Sequence, residues 1–378
     1  MTEFSKLPLT EGALNEPLAA LFKSMLEKNV VDAVLAPSRQ RPKGVMQTLI
    51  TDPEMLAHID PFAPVVTVNS ANLVSKLTNV PSGRPVAVVM RSCEIRALLE
   101  LVKLKQATLD DLVLIGIDCL GRYENADYLK LGQNGSTTAA FLEAACGGKG
   151  TENAEGVDIP TACKICEHPV AENADIRLCI IGSGPNDVYI EWATEKGQNV
   201  RKQIEMETGA EPPARKEAIE QLTQQRIAER DKVFGEMYEQ VNSLEKLRDY
   251  LAGCINCYNC RVACPVCYCK ECVFVTDTFR HPGDTYVAWG DKRGFLKMPS
   301  ETLLYHLTRM THMSTLCVGC GQCTSACPND IPLAELFRSV ANKTQARFDY
   351  EPGKSLEEPQ PLAVFYAEEL GDVTGQVK

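Results

Sequence analysis

The sequence contains no run of the roughly 18 apolar residues that a membrane-spanning helix needs; its best candidate, Leu112–Ile117, has only strand length. The first residues, Met1 to Pro17, lack the basic and apolar segments of a secretory signal, and twin arginines never occur, so a cytoplasmic protein is expected. Positive charge is also scarce. Lys and Arg number 39 against 50 Asp and Glu, a net charge of -11 without a polybasic run, which excludes a protein that grips nucleic-acid phosphates. Composition is otherwise that of a soluble globular chain, with 44% apolar and 24% charged residues, and this excludes global disorder. A length of 378 residues gives room for two or three domains.

Against these absences stand 17 cysteines. In a reducing compartment, clustered thiols are metal ligands more often than disulfide partners. The chain around them divides into four parts. Residues 1–200 read as an α/β domain with a mainly parallel sheet. An amphipathic segment (Leu18, Leu21, Phe22, Met25, Leu26) leads into a strand at Val30–Leu35. A strand at Pro85–Met90, a helix at Glu94–Lys105 and a strand at Leu112–Ile117 form a crossover unit, with further strands at Ile176–Ile181 and Asp187–Trp192. Residues 201–252 are a charged helical connector with an apolar stripe of Phe234, Met237, Val241 and Leu244, read as a packing arm with a solvated outer face. Residues 253–340 hold the cysteine runs. Residues 341–378 form a proline- and acid-rich tail ending in an apolar piece, Leu362–Phe365, that drapes over the chain or reaches a partner.

Cys254, Cys257, Cys260 and Cys264, followed by Pro265, spell C-x2-C-x2-C-x3-C-P, and Cys317, Cys320, Cys323 and Cys327 with Pro328 repeat it. This is the ligand run of bacterial [4Fe–4S] ferredoxins, in which the fourth cysteine serves the other cluster. Two clusters are therefore expected, one on Cys254, Cys257, Cys260 and Cys327, the other on Cys317, Cys320, Cys323 and Cys264. Structural zinc also uses C-x2-C pairs, but it needs neither the third cysteine of each run nor the trailing Cys-Pro, and all five histidines lie outside the runs. A C-x3-C-x2-C spacing at Cys260, Cys264 and Cys267 overlaps a run already assigned, and the adjacent cysteines of a disulfide-reducing cluster are absent. With 52 residues between Cys264 and Cys317 and an amphipathic helix at Ser300–Met313, the region resembles the α-helical dicluster ferredoxin domain of heterodisulfide reductase C-type and related respiratory subunits. Cys267, Cys269 and Cys272 follow the first run, as packing thiols or as ligands of a further metal.

The N-terminal half has its own set. Cys93 sits where a strand turns into a helix, Cys119 ends the next strand, and Cys163 and Cys166 form a loop C-x2-C, giving four ligands for a third [4Fe–4S] cluster at one edge of a parallel sheet. Cys146 and Cys179 are left to the core or unassigned. Arg91 and Arg96 are candidates for holding an anion, with at least one expected to be a solvated helix-start residue. The segments Arg91-Ser92-Cys93-Glu94-Ile95-Arg96-Ala97-Leu98, Leu114-Ile115-Gly116-Ile117-Asp118-Cys119 and Cys163-Lys164-Ile165-Cys166 with Ala174-Asp175-Ile176 resemble the beta-subunit family of coenzyme F420-reducing hydrogenases and formate dehydrogenases. The resemblance implies ligand roles for Cys93, Cys119, Cys163 and Cys166, an FAD, and electron exchange with a deazaflavin, a nicotinamide or a partner protein. Where that family opens its first helix with a glycine pair, this chain has Leu14-Asn15-Glu16-Pro17-Leu18, whose side chains oppose a pyrophosphate.

The expectation is an iron–sulfur relay subunit of an anaerobic oxidoreductase complex, partnered by catalytic or flavin-containing subunits and open to peripheral membrane association. No general acid, base or nucleophile constellation stands out. The alternatives are a self-contained FAD-dependent oxidoreductase acting on coenzyme F420 or NAD(P)H, and a non-redox zinc scaffold.

Overall fold

A computed structural model describes residues 2–8, 14–40, 44–132 and 137–363. Its centre is a seven-stranded sheet in the order β1-β7-β6-β5-β4-β2-β3. The strands are β1 (Glu3–Lys6), β2 (Ala33–Arg39), β3 (Val45–Ile50), β4 (Val86–Arg91), β5 (Leu112–Ile117), β6 (Ile176–Cys179) and β7 (Tyr189–Trp192). The four inner strands β2, β4, β5 and β6 run parallel, while β3, β7 and β1 join antiparallel at the flanks. The apolar runs explain this division. Every residue of β4 and β5 is buried, as strands covered on both faces require. β3, with Met46 and Leu49 exposed, is an edge strand that periodicity did not single out.

β2 begins three residues later than the valine-rich run suggests, because Val30 and Val31 are spent on closing the preceding helix, Asn15–Glu27, through bonds to the Met25 carbonyl. The crossover helix Ser92–Lys103 starts two residues early, since the Glu94 carboxylate accepts the Arg91 N–H at 2.8 Å and holds the first turn closed. Cys179 is fully buried in β6, in accord with a core role.

The connector is two helices, Arg215–Val241 and Leu244–Tyr250. They part at Ser243, whose hydroxyl accepts the Lys246 N–H. The inferred apolar stripe holds only in part: Met237 is buried and Val241 packs beside it, but Leu244 is 60% exposed, and the buried residues of the long helix are Arg215, Arg226 and Met237, eleven positions apart. Eleven residues make about three turns, so these three lie on one line. The tail, as far as residue 363, drapes back over the first domain. There the fully buried Glu100 accepts hydrogen bonds from the Tyr350 hydroxyl (2.7 Å), the Gly353 N–H (2.7 Å) and Gln360 Nε2 (2.8 Å), and pairs with Lys103. Of the apolar piece Leu362–Phe365, Leu362 is exposed and Val364 and Phe365 lie outside the described residues. No helix among the described residues is long and apolar enough to cross a membrane.

Candidate metal centres

Strand ends set the first centre. Cys93 follows β4 and Cys119 follows β5, both at the carboxyl edge of the parallel strands, where α/β sheets gather ligands. The Cys119 N–H donates to the Pro169 carbonyl at 2.8 Å and draws the loop carrying Cys163 and Cys166 to the same edge. All four thiols line one cavity, together with Arg91, Arg122, Arg226 and Cys320. Arg226 closes it from the connector, donating to the Cys119 and Cys166 carbonyls at 3.3 Å. The connector is thus more than a packing arm. Its start is fixed beside Cys119 by a buried bidentate pair, Arg215 Nη1 and Nη2 to Asp118 at 2.6 and 3.0 Å.

The two C-terminal runs fold alike. In the first run Asn256 and Tyr258, and in the second Gly319 and Gly321, take left-handed backbone angles at matching positions between cysteines. Each run then enters a four-residue helix, Asn259–Val262 or Gln322–Ser325. The repeat in spacing is therefore a repeat in backbone path. Only one copy requires glycine at its second special position: a Cβ on Gly321 would stand 2.6 Å from the Ala162 Cβ of the first domain. Tyr258 instead packs its ring edge-on against Tyr305 at 4.9 Å.

Cys254, Cys257, Cys260 and Cys327 line a second cavity with Tyr305, His306 and Ile331. Cys264 lies within electrostatic reach of Cys317 and Cys320, and Cys323 within reach of Cys264, Cys317 and Cys320. Each ligand set expected from the runs is thus brought together across the chain. Cys320 also lines the cavity of the first domain, so the two regions share a wall of thiols.

One helix, Thr302–Met313, serves both C-terminal sets. Its inward face is Thr302, Tyr305, His306, Arg309 and Met313. His306 Nε2 lies 3.3 Å from Cys254 Sγ, the Tyr305 hydroxyl 3.3 Å from Cys260 Sγ, and Met313 Sδ 3.8 Å from Cys264 Sγ. Burial drives three of these thiols upward in pKa, Cys163 to about 11 and both Cys264 and Cys320 to about 12, with neighbouring thiols adding to the effect. Such groups resist ionisation until a metal takes the thiolate. Among the described residues no group of three or more His, Cys, Asp or Glu closes around a single metal ion; the thiols instead face shared spaces. Buried donors left without a partner include Arg309 Nε and Nη1 and Arg96 Nη2, and they suit acceptors such as thiolate and sulfide.

Several expectations shift. Arg91 and Arg96 are both buried, not solvated: the guanidinium of Arg91 donates to the Ala63 carbonyl and that of Arg96 to Pro352 and Val318. Cys267, Cys269 and Cys272 are divided. Cys267 packs against the core beneath the Ser92 helix, Cys272 against the cluster around Tyr305, and Cys269 approaches His312 Nδ1 at 3.8 Å. At the Leu14–Leu18 stretch Leu18 is fully buried in the core and Glu16 adds negative charge to the first helical turn, so these residues do not fit a dinucleotide pyrophosphate. Arg122, Arg226, Tyr305, His306 and Arg309 went unread in the sequence. For Tyr305, His306 and Arg309 the signal was polar residues at helical spacing, which a search for apolar stripes passes over; Arg122 sits in a loop and Arg226 stands alone on its helix, and neither leaves a pattern.

Comparison with known proteins matches two parts of the chain to families. Residues 83–214 match the family described as the carboxyl-terminal part of the coenzyme F420 hydrogenase/dehydrogenase beta subunit, and residues 250–331 match the 4Fe-4S dicluster domain. The chain is 27% identical over 374 residues to the F420-dependent formate dehydrogenase subunit beta of Methanocaldococcus jannaschii, covering 89% of this chain and 91% of that one. It is also 27% identical over 391 residues to the F420-dependent formate dehydrogenase 1 subunit beta of Methanococcus maripaludis, covering 94% of each. A chain of the xenon-derivatised F420-reducing [NiFe] hydrogenase complex from Methanosarcina barkeri overlays on 65% of this chain and 94% of its own, with TM-score 0.43 and 15% identity.

Proposed function

Because the chain belongs to the coenzyme F420 hydrogenase/formate dehydrogenase beta-subunit family and carries a C-terminal 4Fe-4S dicluster domain, we propose that it relays single electrons in a multi-subunit F420-dependent oxidoreductase. A formate dehydrogenase is the member its relatives favour. In this reading Cys254, Cys257, Cys260 and Cys327 hold an outer [4Fe–4S] cluster. Cys317, Cys320, Cys323 and Cys264 hold a middle one, and Cys93, Cys119, Cys163 and Cys166 an inner one. Iron–sulfur clusters supply reversible one-electron chemistry; the protein sets potential and route through burial, charge and hydrogen bonds to sulfur.

The observation that carries the reading is Cys320, a ligand of the middle set that lines the cavity of the inner set. A relay needs centres in close succession, and this shared wall supplies it. At the other end Cys257 is exposed, the natural point of exchange with a catalytic or flavin-bearing partner. The electron moves without any bond made or broken on this chain.

Anaerobic quantification of iron, acid-labile sulfide and flavin tests the proposal. About 12 irons per chain are expected from three four-iron clusters, and about 8 in Cys119→Ala. Zinc in place of iron and sulfide would establish the scaffold alternative and end the relay reading.

A further inference from the structure

We infer that Arg309 is the shared cation of the two C-terminal clusters, a positioning residue that sets the potentials of both. The inference rests on the cluster assignment above and adds to it a residue with no ligand role. Arg309 is 5% exposed, on the inward face of the helix Thr302–Met313, between His306, which meets Cys254, and Met313, which meets Cys264. Its Nη2 donates to the Cys260 carbonyl at 3.2 Å. Its guanidinium lies 4.6 Å from the centre of the Phe337 ring and 5.9 Å from that of Tyr305, so aromatic faces wall it off from water.

Two of its donor groups, Nε and Nη1, have no partner. An unpaired buried guanidinium is strongly unfavourable, because desolvation of charge and of N–H groups goes uncompensated. The thiols around it come from both sets: Cys260 from the outer, Cys264 and Cys323 from the middle. Thiolates and the sulfides of a bound cluster are the acceptors this site lacks. A guanidinium is protonated throughout the pH range in which proteins stay folded, so the positive charge is permanent. A fixed cation beside two clusters stabilises the reduced, more negative form of each.

The test is anaerobic redox titration of the reconstituted full chain, followed by EPR, in wild type, Arg309→Met, Arg309→Gln and Arg309→Lys. Both neutral variants are expected to lower the potentials of two clusters together, each by about tenfold or more in the reduction equilibrium, which is about 59 mV for one electron. Arg309→Lys, keeping the charge, restores most of the shift. Neutral variants with a full iron complement and unmoved potentials overturn the inference, as does a shift confined to one cluster. If both neutral variants lose the two clusters while the Lys variant keeps them, Arg309 is a counter-ion for assembly and the tuning role falls. Wild-type chain without iron after reconstitution would defeat the cluster assignment itself, a distinct outcome.

Discussion

The two cysteine regions gather their thiols by opposite means. In the C-terminal region three of each four thiols come from seven consecutive residues, and a pair of left-handed turns per run points them into one space. In the N-terminal domain the four come from positions spread between Cys93 and Cys166, and it is the sheet edge, the Cys119–Pro169 bond and Arg226 that bring them together. A local site tolerates change in the surrounding fold; a dispersed one exists only while the fold does.

Substitutions can break this contrast. The largest effect is expected in Cys257→Ala, which should remove one cluster, about four irons per chain, and leave the rest; unchanged iron content would contradict the ligand set. Next is Arg215→Met. Asp118 would then remain buried without its bidentate partner, at about 3–5 kcal/mol of stability. Urea denaturation should show this, with iron lost first from the N-terminal site, because Asp118 adjoins Cys119. Equal loss from all sites would dissolve the distinction between local and dispersed. A smaller cost, about 1–3 kcal/mol of overpacking, is expected for Gly321→Ala, whose new methyl meets Ala162 across the junction; a thermal melt reads it. Leu244→Ser, at an exposed position, should move stability by no more than about 0.5 kcal/mol. A larger drop in the isolated chain would mean that Leu244 is covered.

What was legible in the sequence follows from the same contrast. The runs announce themselves because ligand spacing is a short-range property of the chain, and the inner strands β4 and β5 because burial on both faces demands unbroken apolar residues. β1 and β3 escaped notice: four residues at one sheet edge, and a strand buried only at its two ends without a period-two pattern, carry little signal. The arginines escaped for a different reason. Arg226 and Arg309 look like solvated helix residues until the fold turns them toward thiols, and Arg96 becomes a buried tether only when the segment around Pro352 returns to meet it.

That returning segment has a consequence for biogenesis. Glu100 is made early, but its partners Tyr350, Gly353 and Gln360 emerge from the ribosome some 250 residues later, after every cysteine. Throughout synthesis the sheet domain thus lacks its latch, and the carboxylate within it stays open to solvent. Folding of the sheet domain therefore finishes only when the far end of the chain has been made and laid against it.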